Sequence, residues 1–331
     1  MACRGDVLIA LHGNTLPEPC VVALGKYESI HRGHRAGIER AVQLAKTKQV
    51  KSAVVAFSPH PHTLLQGTSY SPLFTQAERI FLLEKLGIDY LLEYPFDATL
   101  MHMSAMQFCT VLFTDLQAEA VIVGEDFRFG HGRLGTLSLL REEAAKNNRI
   151  VEATPPLLSN ANPISTSAIR ALLGEQNTKN TPDLLQATSL LSFPFFAMGT
   201  VTQGRQLGRT MGFPTLNLYP TTDKYLPPFG VYATKTTING TQYDSITNIG
   251  RRPTVNKVDV APTIETHIIK KTPAQGVLHD LYGTEIQVDF IHFIRAEMKF
   301  DGLDSLKAQI AKDVAHVKEF YTTTSASISI P

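Results

Sequence analysis

Two histidines stand where the sequence predicts a helix to begin. The stretch GKYESIHRGH, residues 25 to 34, follows the apolar run VVAL and places His31 and His34 in an HxGH spacing. Imidazoles beside the free N–H groups of a helix start can donate hydrogen bonds to phosphate oxygens, and Gly33 lets the backbone approach closely. Taken alone, the spacing also fits two side chains that only cap and pack a turn.

A second polar segment, ISTSAIR at residues 164 to 170, has the same chemistry. Hydroxyl donors, a helix dipole and a fixed cation at one helix start favour an anionic group such as phosphate. A hydroxyl here could equally be a simple N-cap. The candidate phosphate-binding residues in this segment are Ser165, Thr166, Ser167 and Arg170.

A third segment, GTVTQGRQLGRTMGFPTLNLYP, spaces Gly204, Gly208 and Gly212 four residues apart just before Thr215 and Asn217. A glycine loop can wrap phosphates with its backbone, and neutral side-chain oxygens suit Mg²⁺. No GK[ST] follows, so this is not a Walker A loop. The same glycines also fit turns that join strands.

The elements that position these motifs differ between the two halves of the chain. In the first half, the apolar runs VVAL, AVVAF, DYLLEY and AVIVG alternate with helical patterns, which predicts a parallel sheet covered by helices. Thr75 with Glu78, and Ser104 with Gln107, have capping-box spacing, and Gly87 stands where a helix should end. The helix after His34 is predicted to bury Ile38, Ala41, Val42 and Ala45.

From about residue 190 the sequence reads as short strands and turns. Asn239-Gly240 is a strong hairpin signal, and EIQVDFIHF alternates like a half-buried strand. We therefore predict a Rossmann-like α/β domain over residues 1–184 and an antiparallel β-barrel over 185–331, with the polar segment 174–183 at the boundary. The barrel should end with a helix whose apolar stripe is Leu303, Leu306, Ile310, Val314 and Val317.

Composition limits the class of partner. With 31 basic and 30 acidic residues, the chain has no charge excess to hold nucleic acid or an anionic membrane. Its three cysteines form no CxxC pair, which argues against a disulfide framework or a zinc site, and no apolar run approaches a membrane span. We expect a cytoplasmic protein with small-molecule substrates, either a monomer or a weak homo-oligomer.

The motifs together resemble a known family. GKYESIHRGH, FSPHP, VGEDFRFG and ISTSAIR, followed by GRTMGFPTLN, are similar in order to GxFDGxHxGH, FxPHP, VGxDFRFG, ISSTxIR and the flavokinase loop of bacterial bifunctional riboflavin kinase and FMN adenylyltransferase, also called FAD synthetase. The resemblance runs from about residue 20 to about residue 320.

For the first domain the resemblance implies that FMN attacks the α-phosphate of ATP, giving FAD and pyrophosphate. His31 and His34 would contact the transition state, and Asp126 and Phe127 would lie near the nucleotide and flavin. Such a displacement needs no protein nucleophile, so catalysis would come from positioning and charge stabilisation. The residues implied to bind the ATP phosphates are Gly25, Ser165, Thr166, Ser167 and Arg170.

For the second domain the resemblance implies phosphorylation of riboflavin by ATP with Mg²⁺. Thr215 and Asn217 would hold Mg-ATP, Glu265 would act as the general base, and Arg295 would have a structural or flavin-edge role. Without the resemblance, Glu265 would be taken for a solvated carboxylate on a strand. The glycines implied to wrap the phosphates are Gly204, Gly208 and Gly212.

The opening motif departs from the family pattern within the segment Lys26 to Ser29, at three positions. Tyr27, Glu28 and Ser29 stand where the family has phenylalanine, aspartate and glycine. If that glycine serves a positive φ or a close backbone approach, a Cβ there costs on the order of 1 kcal/mol. The alternative hypotheses are a monofunctional riboflavin kinase with a degenerate or regulatory N-terminal domain, and a flavin sensor or carrier.

Overall fold

The chain forms two compact units, Met1–Thr166 and Ser167–Pro331. The predicted boundary between residues 184 and 185 stays a prediction, and residues 176–180 of the boundary segment lie outside the described residues. The proline-histidine motif at residues 59–61 lies outside them as well. The computed structural model describes residues 8–58, 70–175, 181–204, 207–221, 223–251, 262–269 and 281–324.

The first unit is built on a six-stranded sheet in which every strand pair is parallel, with the order β1-β4-β3-β2-β5-β6. This confirms the predicted parallel sheet and its four strands β2 to β5. The edge strands β1 and β6 are additional to the predicted strands, and their residues are largely unburied. The strands are β1 Ile9–His12, β2 Cys20–Leu24, β3 Lys51–Ser58, β4 Tyr90–Pro95, β5 Ala118–Gly124 and β6 Ile150–Thr154, with a short hairpin of β7 Leu158–Ser159 and β8 Asn162–Pro163.

The helices of this unit begin where their caps predict. Both capping boxes are present, Thr75 with Glu78 and Ser104 with Gln107, and Gly87 takes a positive φ of 78° after the first of these helices. The first helix buries the four predicted apolar residues. The helices are α1 Arg32–Lys48, α2 Gln76–Lys85, α3 Ala98–His102, α4 Ala105–Thr110 with a π-helical continuation Val111–Asp115, and α5 Leu137–Lys146. The next helix, α6 Thr166–Leu173, begins at the last residue of the first unit and continues in the second.

The order of the strands creates a switch point in this sheet. From β2 the chain adds β3 and β4 on one side, then returns to place β5 and β6 on the other side of β2. In an open parallel sheet, ligands bind at the carboxyl ends of the two strands that flank such a point. A ligand site is therefore expected at the turns that follow β2 and β5.

The second unit is an antiparallel sheet of six strands in the order β10-β13-β12-β11-β14-β9. It nearly closes into a barrel, because the Thr202 amide after β9 donates to the Asn217 carbonyl of β10 at 2.9 Å. This confirms the predicted barrel. The elements are α7 Leu184–Leu191, β9 Phe196–Thr200, α8 Leu207–Thr210, β10 Leu216–Leu218, β11 Gly230–Ile238, β12 Thr241–Arg251, β13 Pro262–Ile268, β14 Glu285–Ala296 and α9 Leu303–Thr324.

Of the local sequence predictions for this unit, the hairpin is confirmed and the apolar stripe of the C-terminal helix needs one correction. The Asn239-Gly240 hairpin is confirmed, with φ values of 48° and 77°. The C-terminal helix packs through Val314 and Val317, which are buried. Leu303, in contrast, is 63% exposed and does not join the packed stripe, because it lies in the first turn of the helix, ahead of the part that contacts the sheet.

Five side-chain hydroxyls form a continuous hydrogen-bonded series, the hydroxyl chain, in the barrel interior. It links Thr236 to Ser245 at 2.7 Å, Ser245 to Thr234 at 2.8 Å, Thr234 to Thr247 at 2.7 Å and Thr247 to Thr266 at 2.9 Å. All five residues are fully buried. Because each hydroxyl has a partner on the adjacent strand, these five residues stabilise the register of β11, β12 and β13.

We predict that Ser245→Ala lowers the free energy of unfolding by about 1–3 kcal/mol, because it deprives the buried Thr236 and Thr234 hydroxyls of a partner. Urea denaturation of the full chain measures this change. Thr241→Ala, an exposed position on the same strand, is the control and should change stability by less than about 0.5 kcal/mol. Equal stabilities of the two variants would contradict a role for the hydroxyl chain.

Candidate functional sites

The HxGH motif lies at the switch point of the parallel sheet, between the end of β2 and the start of α1. His31 is the N-cap residue of α1, and its Nδ1 accepts a hydrogen bond from the His34 backbone amide at 3.2 Å. An imidazole nitrogen thus accepts the N-cap hydrogen bond that a serine or aspartate oxygen usually accepts. The turn-capping interpretation is therefore correct for His31, and a ligand role would come in addition to it.

The two imidazole rings are stacked. Their centroids are 3.8 Å apart with an interplanar angle of 11°. A Cβ on Gly33 would lie 3.2 Å from the His31 ring, so glycine leaves room for the stack. The Tyr27 ring meets His34 edge-on at 5.2 Å. Packing therefore fixes both rings before any ligand binds.

Burial keeps both imidazoles neutral in the free protein. His31 is 7% exposed, and burial lowers its pKa to about 4. Burial, followed by the neighbouring His31, holds the pKa of His34 well below its ordinary value. The buried His34 Nδ1 has no hydrogen-bond partner within the described part of the chain. Such an atom is costly unless a ligand group satisfies it, so the pair fits an anionic ligand that supplies both hydrogen bonds and counter-charge.

The departure at Ser29 does not produce the backbone strain expected of it. The positive φ values in this turn belong to Tyr27, at 41°, and Ile30, at 46°, whereas Ser29 lies outside the left-handed region. Ser29 is fully buried, and its Oγ lies 2.9 Å from Thr166 Oγ1. The strain therefore lies beside the substituted position rather than on it.

The departure at Glu28 also has a structural partner. The residue is 5% exposed. Its carboxylate accepts hydrogen bonds from the Leu73 amide at 3.1 Å and from the Tyr70 hydroxyl. These donors offset the cost of burying a carboxylate close to a candidate phosphate site. The longer glutamate side chain thus attaches the turn after β2 to the segment before α2.

The other strand at the switch point, β5, carries the predicted VGxDF residues. Asp126 is exposed in the turn after β5, where the Phe127 amide donates to the Gly124 carbonyl at 3.0 Å. Phe127 stacks on Phe129 at 5.5 Å. Gly25, at the end of β2, lies against the Tyr27 ring, 3.1 Å from where a Cβ would stand. These residues thus follow the two strands that flank the switch point.

The ISTSAIR segment is divided between the two compact units. Ser165 and Thr166 end the first unit, whereas Ser167 and Arg170 belong to the second. Within the second unit, the Arg170 guanidinium lies 5.0 Å from the Tyr225 ring centroid, and the Tyr225 hydroxyl donates to the Gly174 carbonyl. The predicted phosphate contacts of Ser167 and Arg170 stay predictions.

In the barrel, strand register brings together residues that are distant in sequence. Asn217 of β10 lies opposite Glu265 of β13, which lies opposite Asn248 of β12. Directly opposed residues project their side chains to the same face of a sheet. Asn217 is 7% exposed, whereas Glu265 is exposed. Sequence reasoning did not single out Asn248, because only the register of β12 with β13 brings it beside Glu265.

The glycine loop packs against Asn217. A Cβ on Gly204 would lie 2.6 Å from the Asn217 side chain, and one on Gly208 would collide with the Phe213 carbonyl oxygen. Gly212 has a φ of 87° with nothing near its Cβ position. The first two glycines therefore permit close approach, and the third permits the backbone turn.

The residues predicted to hold Mg²⁺ fit that ion. The Asn217 amide nitrogen donates to the Thr215 carbonyl at 3.3 Å, and this contact does not use the amide oxygen. Among the described residues, no group of three or more His, Cys, Asp or Glu could hold a metal by itself. Two neutral oxygens completed by waters and substrate phosphates are a usual Mg²⁺ environment.

Arg295 is bound to the C-terminal helix. Its guanidinium contacts the Asp313 carboxylate of α9 at 2.7 and 3.0 Å. The two side chains are 19% and 6% exposed. The observed contact is the structural one of the two predicted roles, and the flavin-edge contact stays a prediction.

Two family models match the chain. The model described as FAD synthetase matches residues 14–168, and the model described as Riboflavin kinase matches residues 191–321. No helix in the described ranges combines the length and apolar character that a membrane crossing requires.

Several curated proteins named "Bifunctional riboflavin kinase/FMN adenylyltransferase" are similar over most of their length. The Escherichia coli K12 protein is 35% identical and covers 93% of this chain and 94% of its own length. The Bacillus subtilis protein is 33% identical, covering 91% and 92%, and the Haemophilus influenzae protein is 31% identical, covering 96% and 100%.

A solved structure shares the whole fold. A Streptococcus pneumoniae protein described as a macrolide-efflux protein superimposes with a TM-score of 0.76 at 25% identity, covering 94% of this chain and 99% of its own. Together with the identity to curated proteins over nine-tenths of the chain, these matches show that the chain belongs to the bifunctional riboflavin kinase/FMN adenylyltransferase family.

Proposed function

We propose that the chain phosphorylates riboflavin to FMN in its second unit and adenylylates FMN to FAD in its first, with ATP as the donor in both steps. The observation that carries the adenylyl-transfer half is the stacked, buried His31–His34 pair at the switch point of the parallel sheet. The kinase half is supported by the register that sets Asn217 opposite Glu265.

In the adenylyl-transfer step, a phosphate oxygen of FMN attacks the α-phosphorus of ATP, the bond to the bridging oxygen breaks, and pyrophosphate leaves. Both imidazoles are neutral in the free protein because of burial. A bound triphosphate supplies the missing counter-charge and raises both pKa values. The pair then donates hydrogen bonds to the phosphate oxygens where negative charge grows in the transition state.

In the kinase step, the 5′-hydroxyl of riboflavin attacks the γ-phosphorus of ATP and ADP leaves. Glu265 would accept the hydroxyl proton, and its exposed position opposite Asn217 in the strand register supports this role. The backbone of the glycine loop binds the phosphates. Mg²⁺, when bound, neutralises their developing charge, and Thr215 and Asn217 would hold it.

The remaining proposals follow from composition. The near balance of 31 basic and 30 acidic residues supports small-molecule substrates rather than nucleic acid or a membrane surface. We take the protein to act in the cytoplasm as a monomer or weak homo-oligomer, with the division between its two activities near residue 184.

The direct test incubates the purified protein with ATP and Mg²⁺ and either riboflavin or FMN, and resolves the flavins by chromatography over time. FAD from both starting flavins is the expected result. FMN without FAD would support the monofunctional alternative, and no phosphorylated flavin at all would overturn the proposal.

We predict that His34→Ala lowers the rate of FAD formation from FMN by about 100-fold, because it removes a hydrogen-bond donor to the transition state. The rate of FMN formation from riboflavin should stay unchanged, which controls for folding. His102→Ala, at an exposed histidine of the same unit, should leave both rates as they are. Equal loss of both activities in the His34 variant would argue against a specific role.

We predict that Glu265→Gln lowers kcat for riboflavin phosphorylation by about 100-fold or more with little change in KM, since it removes the base and keeps the shape. Initial rates of ADP release measure this. Glu285→Gln, at an exposed strand glutamate on β14, is the matched control. A kcat within twofold of the original would show that Glu265 is not the base.

We predict that the free protein loses stability as the pH falls from about 6.5 toward 4. The unfolded chain binds a proton on His31 near its ordinary pKa of about 6.5, whereas burial holds the folded pKa at about 4. The unfolded state therefore takes up the proton first, and unfolding becomes easier by about 2 kcal/mol at pH 5 relative to pH 7.

The comparison of His31→Asn with the original protein isolates this effect, because asparagine keeps the N-cap acceptor and does not titrate. Urea denaturation at pH 7 and pH 5 should show a smaller loss of stability for His31→Asn than for the original chain. His102→Asn should lose as much as the original. Parallel pH profiles for all three proteins would contradict the prediction.

A further inference from the structure

The first unit contains a contact between two hydroxyls that no local sequence pattern reveals. Ser29 Oγ and Thr166 Oγ1 are 2.9 Å apart although 137 positions separate the two residues. Ser29 is fully buried, whereas Thr166 is partly exposed. One of the two hydroxyls is therefore buried inside the protein, and the other belongs to a residue that solvent reaches in part.

The contact lies within the first unit and joins the turn before α1 to Thr166, one of the candidate phosphate-binding residues. Ser29 stands two positions before His31, the N-cap of α1, and Thr166 is the first residue of α6. Because Ser29 is held in the turn after β2, its contact also restricts the position of the Thr166 hydroxyl at the first residue of α6. A glycine, which the family pattern has at this position, could not make such a contact.

The burial of Ser29 decides which hydroxyl donates. Each hydroxyl carries one proton and can accept two hydrogen bonds. Thr166 is the partner that the described part of the chain provides for the Ser29 hydroxyl. If Thr166 donated, the Ser29 proton would be buried without an acceptor, which is unfavourable. Donation from Ser29 to Thr166 avoids that cost and leaves the Thr166 proton free to point toward the accessible side.

We propose that Ser29 is a positioning residue for the ATP phosphates in adenylyl transfer, and that it acts by orienting the Thr166 hydroxyl. The chain of donors runs from Ser29 to Thr166 and from Thr166 to a phosphate oxygen. Each donor polarises the next, which strengthens the bond to the phosphate. The inference rests on the proposed FMN adenylyltransferase activity and adds a residue that the family motif does not contain.

A positioning role of this kind has a kinetic signature. Thr166 contacts a phosphate that is bound in the ground state as well as in the transition state, so its loss weakens both about equally. Such uniform binding changes KM for ATP and leaves kcat nearly constant. A merely structural role for Ser29 would instead lower the amount of active protein, and the KM for ATP would not move.

The test is a double-mutant cycle with Ser29→Ala, Thr166→Ala and the double variant, measured as FAD formation from FMN and ATP. We expect Ser29→Ala to raise KM for ATP about five- to tenfold, with kcat and KM for FMN within about twofold. Because Ser29 acts through Thr166, the double variant should match Thr166→Ala within about twofold. Ser29→Gly, which also lacks the hydroxyl, should behave like Ser29→Ala.

Two controls separate this result from a loss of folding. The riboflavin kinase rate of the same preparations should stay unchanged. Ser52→Ala removes another buried serine hydroxyl of the same sheet, which donates to Asp89 Oδ2 at 2.7 Å, and should lower thermal stability without changing KM for ATP. An unchanged KM for ATP in Ser29→Ala, or effects of the two single variants that multiply in the double variant, would overturn the proposal.

The role of Ser29 can also be judged if the original protein makes no FAD, in which case the adenylyltransferase function itself fails. Isothermal titration with inorganic pyrophosphate then replaces the kinetic assay. Pyrophosphate binding weakened about fivefold or more by Ser29→Ala, and not further weakened in the Thr166→Ala background, would support the proposal. Affinities unaffected by Ser29→Ala, or no binding of pyrophosphate by the original protein, would overturn it.

Discussion

The antiparallel sheet of the second unit closes through the backbone contact in which the Thr202 amide donates to the Asn217 carbonyl at 2.9 Å. Strand β10 has only three residues, and its other edge pairs with β13. Closure therefore fixes Asn217 between two strands, with Glu265 directly opposite. The chain that leaves the closing contact passes Gly204, where a Cβ would collide with the Asn217 side chain. Asn217 therefore takes part both in the contact that closes the barrel and in the candidate kinase site.

The first unit places its candidate site by a different route. Parallel strands cannot be joined by short turns, so the crossover helices begin at one edge of the sheet and present free amides there. His31 satisfies one of these amides with its own ring and then stacks on His34. The stack buries both imidazoles and holds them neutral. An anionic ligand offsets that desolvation cost, because its negative charge stabilises the protonated imidazoles. Burial therefore makes the site selective for a ligand with negative charge.

The two candidate sites share the use of neutral polar side chains. Asn217 and Thr215 in the barrel, and Ser29 and Thr166 beside the histidines, carry no charge, and the glycines around Asn217 allow the chain to approach it closely. This agrees with a chain whose charges nearly cancel. Local geometry, and not a broad electrostatic field, then determines what binds. Glu28 and Ser29 are likewise buried polar residues that each have a hydrogen-bond partner.

The sequence by itself determined the order of the motifs and most of the elements that carry them. The alternating apolar runs, the two capping boxes and the Asn239-Gly240 hairpin are signals contained within a few residues, where local sterics and hydrogen bonding decide the outcome. Only the tertiary structure decided the contacts that join distant residues. The pairing of Ser29 with Thr166, the register of Asn217 with Glu265, the ion pair of Arg295 with Asp313 and the exposure of Leu303 depend on strand order and helix placement. A single turn or strand does not encode these relations, because they arise from the packing of elements that are far apart along the chain.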